Sequence, residues 1–470
     1  MLVVTIELKD SFKAYDVRGI VGQTITAESV RAVGAAFVDT LSLSGQKLLV
    51  GGDMRDSSEE FITAFTEGAT RRGAHVTQLG LISTDMLYFA SGKLDAPGVM
   101  FTASHNPAEY NGMKMSKAGA VPLSADTGLE EIREAAQAYL NSDEIPQADT
   151  IGNIDDADLL TDYAEYLRSL VDLTAIRPLK VVVDAGNGMA GMTTPAVLGD
   201  ERLSALPLEI EPLYFELDGT FPNHPANPLE PENLRDLQKA VVDHGADIGL
   251  AFDGDADRCF VIDELGEPVS PSAVTALVAR RELARAKASG ETEPVIIHNL
   301  ITSKAVPELV TAEGGRAVET RVGHSFIKAV MAEESAVFGG EHSAHYYFRD
   351  FWNADTGMLA ALHVLAALGE QDLGLNELAA EYNPYSASGE INSKVEDKTG
   401  AMEKVVEAFA DRQVTVSRLD GVTVSGQDGS WWFNLRPSNT EPFLRYNGEA
   451  HTAEQMATIR DEVLNLVRSS

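Results

Sequence analysis

The chain carries one cysteine, Cys259, in 470 residues. A single thiol cannot close an intramolecular disulfide, and it cannot build a cysteine zinc site. Positive charge is scarce too: 37 Lys and Arg stand against 72 Asp and Glu, for a formal net charge of −35. Such a field repels polyanions, which argues against nucleic acid or an anionic membrane surface as the main partner. If the substrate is itself anionic, the few basic residues must be concentrated at its site. Long apolar runs are also missing. No segment reaches the length of a membrane span, and the stretch Met1 to Glu7 has neither a basic region nor an extended apolar run. The expectation is a cytoplasmic protein with no membrane association.

What is present is an ordinary globular composition, 44% hydrophobic and 23% charged. A chain this long can bury large cores and is expected to split into several domains. Apolar strand-like runs recur at Lys47 to Val50, Gly98 to Phe101, Lys180 to Val183 and Pro294 to Ile297. Helical patterns follow several of them, as at Ser58 to Arg72 and Thr302 to Ala312. This alternation predicts largely parallel sheets covered by helices. Pro- and Gly-rich breaks fall near 145–155 and 219–232, and after Leu373 the pattern changes to an α+β character.

The run Asp253-Gly254-Asp255-Ala256-Asp257-Arg258 lies between the apolar stretches Asp247 to Phe252 and Cys259 to Ile262. Three alternate carboxylates on a tight interstrand loop can aim their oxygens at one point, and hard cations prefer oxygen ligands. A solvated acidic turn is the plainer alternative. An EF-hand loop is excluded: its sixth position needs glycine and holds Arg258, and its flanks are strands rather than helices. Arg258 beside the carboxylates suggests that an anionic ligand completes the site.

Three further loops carry chemistry. Thr102-Ala103-Ser104-His105-Asn106-Pro107 follows a strand, so Ser104 should project from the C-terminal edge of a sheet, where α/β proteins bind ligands. A polar turn closed by proline reads equally well. Gly340-Glu341-His342-Ser343-Ala344-His345 gathers hydrogen-bonding groups suited to a polyhydroxy ligand; two histidines three apart could instead ligate metal. Arg436-Pro437-Ser438-Asn439-Thr440-Glu441-Pro442 offers a guanidinium, hydroxyls, an amide and backbone N–H groups, which are phosphate-binding parts. A competing motif, Gly186-Asn187-Gly188-Met189-Ala190-Gly191, spells a dinucleotide fingerprint after a strand, with Glu209 about twenty residues on. The preferred reading is that its glycines make a tight strand-to-helix turn; the motif keeps a nicotinamide-dependent dehydrogenase as the alternative function. Pro195 places the start of the following helix near itself, since proline fits the first helical turn.

Together these loops resemble the α-D-phosphohexomutase family, in its phosphomannomutase/phosphoglucomutase branch. Ser104 lies in a stretch similar to the family's phosphoserine loop. Asp253 to Arg258 is similar to its magnesium loop, Gly340 to His345 to its sugar loop, and Arg436 to Thr440 to its phosphate loop. Ala14-Tyr15-Asp16-Val17-Arg18-Gly19, Asn111-Gly112-Met113-Lys114 and Val322-Gly323-His324-Ser325 also match. The resemblance implies three related α/β domains with mixed parallel sheets, spanning 1–155, 156–267 and 268–375. A smaller α+β domain, 376–470, would complete a chain folded around a central cleft. It implies reversible interconversion of hexose 1-phosphate and hexose 6-phosphate through a phosphoserine and a 1,6-bisphosphate.

In that scheme Ser104, His105, Arg18, Lys114, His324 and His345 are catalytic. One Mg²⁺ per chain binds Ser104, Asp253, Asp255 and Asp257. Tyr15, Arg258, Glu341, Ser343, His345, Arg436, Ser438, Asn439, Thr440 and Arg445 bind substrate. Hexose 1,6-bisphosphate serves as activator, hexose phosphates are the only partners implied, and monomer and dimer both remain open. His342 and Ala344 depart from the family's usual sugar loop, which carries Met, Gln or Glu and often Gly there. Mannose phosphate is the favoured substrate, glucose phosphate the second and glucosamine phosphate the least favoured.

Overall fold

The computed structural model of the protein describes residues 6–142, 144–438 and 443–469, except the side chains of His324 and Ser325. The chain divides into two compact units: Met1–Val269 with Ser343–Asn376, and Ser270–His342 with Glu377–Ser470.

The first unit holds two sheets. In one, Lys47–Gly52 pairs in parallel with His75–Leu81 and with Gly98–Phe101. Tyr110–Ser116 runs antiparallel between Gly98–Phe101 and Val17–Ile20. The central strand Lys47–Gly52 is buried at every position after Lys47, as expected of a strand covered on both faces. The helix Ala27–Thr40 opens with a reciprocal cap between Thr26 and Ser29. It buries Val30, Val33 and Phe37 against this sheet's core. Phe65 meets Phe37 and Phe101 edge-on, at centroid separations of 5.9 and 5.8 Å. Such contacts add about 0.5–1.5 kcal/mol each beyond their buried area.

In the second sheet Leu179–Asp184 is parallel to Leu208–Leu213 and to Ile248–Phe252, and Cys259–Asp263 returns antiparallel to the last. The helix Gly357–Gly369 is almost wholly buried, which suits a sequence apolar on every face.

The second unit holds a parallel set, Arg316–Thr320, Val295–Asn299 and Phe338–Gly340. It also holds an antiparallel sheet built on Trp431–Pro437 and Phe443–Ala450, over which Lys398–Phe409 and Ala453–Arg468 pack. The α/β alternation followed by a C-terminal α+β part is thus observed. No helix of the described residues is long and apolar enough to cross a membrane.

Two local expectations fail. The helix expected from Thr302 begins at Ala305, because Asn299 Oδ1 accepts from the Ile301 N–H and the Thr302 hydroxyl and holds a turn there. The helix expected to start near Pro195 is Ala190–Val197, with Pro195 at its sixth position. That proline withholds a donor from the Gly191 carbonyl, a loss tolerable in so short a helix.

Candidate active site

Strand register brings the first cations together. Arg18 lies opposite Gly112, and Met100 opposite Lys114. Gly112 and Lys114 are two residues apart on one strand and so share a face, which makes Arg18 and Lys114 diagonal neighbours. Beside them the strand Gly98–Phe101 ends and the Ser104 turn begins. Ser104 has φ +50, in the left-handed region, and is 3% exposed. Its Oγ donates to Asp253 Oδ2 at 2.8 Å and lies 3.2 Å from His105 Nδ1.

The acidic loop is the hairpin connection between Ile248–Phe252 and Cys259–Asp263, with Phe252 opposite Cys259. Asp253, Asp255 and Asp257 are all buried, and their oxygens lie within 4.8 Å of one another. This rules out the solvated turn. Lys114 Nζ is 2.7 Å from Asp255 Oδ2 and 2.5 Å from Asp257 Oδ2. Arg258 donates through Nε and Nη2 to Asp253 Oδ2, at 3.0 and 2.9 Å. Thr84 Oγ1 donates to Asp255 Oδ2 at 2.7 Å.

Burial dominates the electrostatics. It pushes Asp253 up to about 7 despite Arg258. Burial opposes ionisation of Asp255 as well, yet Lys114, Thr84 and Arg18 together hold that carboxyl far below its usual range. Lys114, paired with both carboxylates, is held well above the usual lysine value although burial works against it. Burial, then Arg258 and Arg18, push His105 well below the ordinary imidazole range. It is therefore neutral and accepts from Arg258 Nη2 at Nδ1, 2.6 Å away. Arg18 donates to Asp16 Oδ2 at 2.7 Å and Asn106 Oδ1 at 2.5 Å, and half-buried Tyr15 is near enough to interact with its charge.

The donor set suits a hard divalent cation. Asp255 Oδ1 and Asp257 Oδ1 are buried without a hydrogen-bond partner, and a buried carboxylate oxygen needs one. With Asp253 and Ser104 Oγ they form an all-oxygen cradle. A second possible grouping joins Asp257, His345 and Asp355. His345 Nε2 is 3.8 Å from Asp257 Oδ1, its Nδ1 is 3.1 Å from Ser343 Oγ, and its backbone bridges that of Arg258.

The Glu341 end of the loop 340–345 and the described part of the Arg436 loop lie in the second unit. Glu341 is buried, and its Oε1 accepts from Asn299 Nδ2 at 2.9 Å and from the Gly323 N–H at 3.3 Å. His342 Nδ1 lies 2.9 Å from Ser272 Oγ, and burial lowers its pKa. Arg436 and Arg445 are cross-strand partners, 3.7 and 3.5 Å from the two oxygens of Glu390. Ser438 Oγ is 3.4 Å from Arg445 Nη2. Asn439 and Thr440 lie outside the described residues, as does the side chain of His324, which opens the helix His324–Glu334. The chain passes between units within the sugar loop: Glu341 and His342 belong to the second, Ser343 and His345 to the first.

The glycine fingerprint has other work. A Cβ on Gly188 would stand 2.7 Å from the Gly254 carbonyl, to which the Met189 N–H donates at 2.9 Å. The turn therefore braces the acidic loop. Glu209 sits opposite Lys180, at the far end of the strand pair from the turn, so it cannot serve a ligand there.

Sequence reasoning missed Arg55, Thr84, Asp85, Asp355 and Glu390. Asp53-Met54-Arg55 follows the strand Lys47–Gly52 at the sheet edge where α/β ligands gather, which was the available signal for Arg55. Asp85 is buried and pushed up to about 6 by that burial, while accepting from Tyr163 at 2.6 Å and Thr356 at 2.7 Å.

The family models described as phosphoglucomutase/phosphomannomutase match alpha/beta/alpha domain I at residues 9–142, domain II at 161–266, domain III at 270–385 and the C-terminal domain at 390–466. The chain is 39% identical over 464 residues to a phosphomannomutase of Salmonella montevideo, covering 97% of this chain and 99% of that one. It is 38% identical over 443 residues to a phosphomannomutase of Escherichia coli K12, covering 93% and 94%. Among solved structures it is similar to a phosphoglucomutase/phosphomannomutase family protein of Burkholderia thailandensis, with TM-score 0.85, 28% identity, and coverage of 98% of this chain and 97% of that chain.

Proposed function

The chain belongs to the phosphoglucomutase/phosphomannomutase family and is one of its hexose phosphate isomerases, and we propose that its phosphoryl groups travel through Ser104. The observation that carries this reading is the setting of Ser104 Oγ. It is held by a left-handed turn against Asp253, within a shell of three buried carboxylates, Lys114 and Arg258.

In the resting enzyme Ser104 carries a phosphate. The Ser104 O–P bond breaks as a P–O bond forms to the free hydroxyl of a hexose 1- or 6-phosphate, giving a bisphosphate. The hydroxyl proton leaves to a base, for which His345 and His324 are candidates; the departing Ser104 Oγ takes up a proton from solvent in exchange and is left as the hydroxyl that donates to Asp253. The bisphosphate turns, its other phosphate returns to Ser104, and the isomeric monophosphate leaves. Phosphoryl transfer needs alignment and charge neutralisation above all. Arg18, Lys114 and Arg258 supply that neutralisation, and neutral His105 acts by holding Arg258 in place. Ser104, Asp253, Asp255 and Asp257 would hold Mg²⁺, which would supply further charge neutralisation on the transferring group.

Arg436, Ser438, Asn439, Thr440 and Arg445 grip the phosphate that is not reacting. Tyr15, Glu341, Ser343 and His345 meet the sugar. Hexose 1,6-bisphosphate rephosphorylates any enzyme that loses its phosphate, which makes it the activator. Mannose phosphate is the proposed preferred substrate, with glucose phosphate second; the relatives named phosphomannomutase support that order. Four domains with the boundaries drawn from the sequence remain part of the proposal.

The test joins intact-mass analysis with a coupled mutase assay. Wild type should show a phosphorylated fraction that maps to Ser104, and excess EDTA should abolish turnover reversibly. Ser104→Ala should fold and be nearly inactive. Normal turnover by that variant would sink the reading.

A further inference from the structure

Ser104 holds a backbone conformation that residues with a Cβ avoid, so something outside it must impose that conformation. The turn that carries it bends until several carbonyls converge beneath it. Arg55 fills the point of convergence. Its Nη2 donates to the carbonyls of Ser104 at 2.9 Å and Asn106 at 2.7 Å, and its Nη1 to those of Pro107 at 2.8 Å and Tyr110 at 2.9 Å. Four carbonyl dipoles aimed at one place repel one another unless a cation with several donors lies there. A guanidinium presents its donors as a planar fork that fits this arrangement, whereas an ammonium has three donors and no fork.

Arg55 is itself pinned. Asp53 Oδ2 lies 3.3 Å from its Nε, and Asp53 Oδ1 accepts from the Arg55 backbone N–H at 3.1 Å and from Ser58 Oγ at 2.8 Å. The Phe221 ring lies over the guanidinium at 5.0 Å, and Gly219 packs so closely that a Cβ there would come within 2.6 Å of Arg55 Cα. The side chain is 1% exposed, so it touches no substrate.

We propose that Arg55 is the positioning residue of the phosphoryl carrier: from beneath the turn it fixes the left-handed backbone that aims Ser104 Oγ at the acidic loop. The proposal rests on the reading of Ser104 as that carrier. It separates positioning from binding. Loss of the four-carbonyl grip lets Oγ wander while the cations and the phosphate loop that hold substrate stay where they are. A displacement of about 1 Å at a reacting atom can cost about a hundredfold in rate.

The experiment compares wild type, Arg55→Lys and Phe221→Leu. It measures kcat and KM on hexose 1-phosphate, the single-turnover rate of phosphoryl discharge from labelled Ser104, and thermal unfolding. Arg55→Lys keeps the charge beside Asp53 but not the fork. It should fold, lose about a hundredfold in kcat and discharge rate, and keep a nearly unchanged KM. Phe221→Leu should show a smaller fall of the same kind. Wild-type discharge by folded Arg55→Lys would overturn the proposal, and so would a rise in KM with kcat unchanged. If Arg55→Lys does not fold, Phe221→Leu decides: reduced discharge at constant KM supports the positioning role, and a wild-type rate overturns it. A wild type inactive on hexose phosphates would overturn the mutase reading and this proposal with it, whereas an active wild type matched by both variants overturns this proposal alone.

Discussion

Replacing Lys114 with Met should show how far the metal-free acidic loop depends on one countercharge. Lys114 Nζ bridges Asp255 and Asp257 at 2.7 and 2.5 Å, and both carboxylates are almost fully buried. Removing one partner of a buried ion pair costs roughly 3–5 kcal/mol, because the other charge is left without compensation. The loop has one escape, which sets a ceiling: a carboxylate can take up a proton. At pH 7, protonating a carboxyl of ordinary pKa 3.9 costs about 4 kcal/mol, and at pH 5 about 1.5 kcal/mol. In EDTA, Lys114→Met should therefore lose about 4 kcal/mol of local stability at pH 7 and about 1.5 kcal/mol at pH 5. Hydrogen exchange of peptides spanning Ile248–Phe252 and Cys259–Asp263 reads that local opening directly. Saturating Mg²⁺ should restore much of the loss, since a ligand bound only by the folded state adds about 2.7 kcal/mol at a hundred times its Kd. A variant that exchanges like wild type in EDTA would refute the reasoning. So would a loss that stays constant between the two pH values, because the escape by protonation would then be absent.

Three further outcomes are expected. His298 is buried, and burial lowers its pKa to about 4. Between that value and the unfolded value of about 6.5 the folded state binds fewer protons, so stability is full above the window and falls by about 3 kcal/mol as pH drops through it. Urea midpoints measured down to pH 4 should show a shallower acid limb in His298→Gln, and parallel curves for variant and wild type would refute this. Arg436→Ala should raise KM by roughly ten- to a hundredfold on mannose and glucose phosphates alike, from about 1.5–3 kcal/mol of lost charged hydrogen bonding. Glu341→Gln should instead change the ratio of kcat/KM between the two sugars. Reversal of that pattern would mean that the two loops divide their work differently.

The loops were legible because each breaks a local rule. Asp253, Asp255 and Asp257 interrupt two apolar strands with a density of charge that no core tolerates, and the structure buries all three. Ser104 was legible by place, at the end of Gly98–Phe101, but its left-handed backbone was not, since nothing in Ala-Ser-His demands φ +50. Arg55 could be placed at the sheet edge after Lys47–Gly52, but its role could not be read, because its partners are backbone carbonyls about fifty residues away, and carbonyls carry no sequence signal. The same holds for Asp85, whose hydroxyl partners Tyr163 and Thr356 are 78 and 271 residues distant. Glu390 was invisible for a related reason. It matters only through two arginines that the pairing of Trp431–Pro437 with Phe443–Ala450 sets side by side. The dinucleotide fingerprint is the tight turn preferred on sequence: Gly188 answers a real steric demand, the approach of Gly254, that a motif alone cannot tell from the approach of a ligand.

A chain of charge −35 that handles anionic substrates has to build local positive potential against its own field. Around Ser104 it does so conditionally. Three carboxylates in the acidic loop face two closely bound cations, Lys114 and Arg258, so the loop by itself retains about one negative charge; burial first, and then the neighbouring Asp257 and Asp255, raise Asp253. Both cations are held by carboxylates and are poorly placed to attract a phosphate. On the reading proposed above, a divalent ion in the oxygen cradle would reverse the sign of the whole group and loosen the hold on Lys114 and Arg258. The proposed phosphate loop of the second unit would follow a weaker version of the same logic. Arg436 and Arg445 stand 3.7 and 3.5 Å from Glu390, beyond good hydrogen-bond length, so a phosphate dianion with more charge and more acceptors can displace that carboxylate. In both places the cations rest against the protein's own carboxylates, two arginines sharing one in the second unit, and on the proposed reading a better-matched ion takes over that contact.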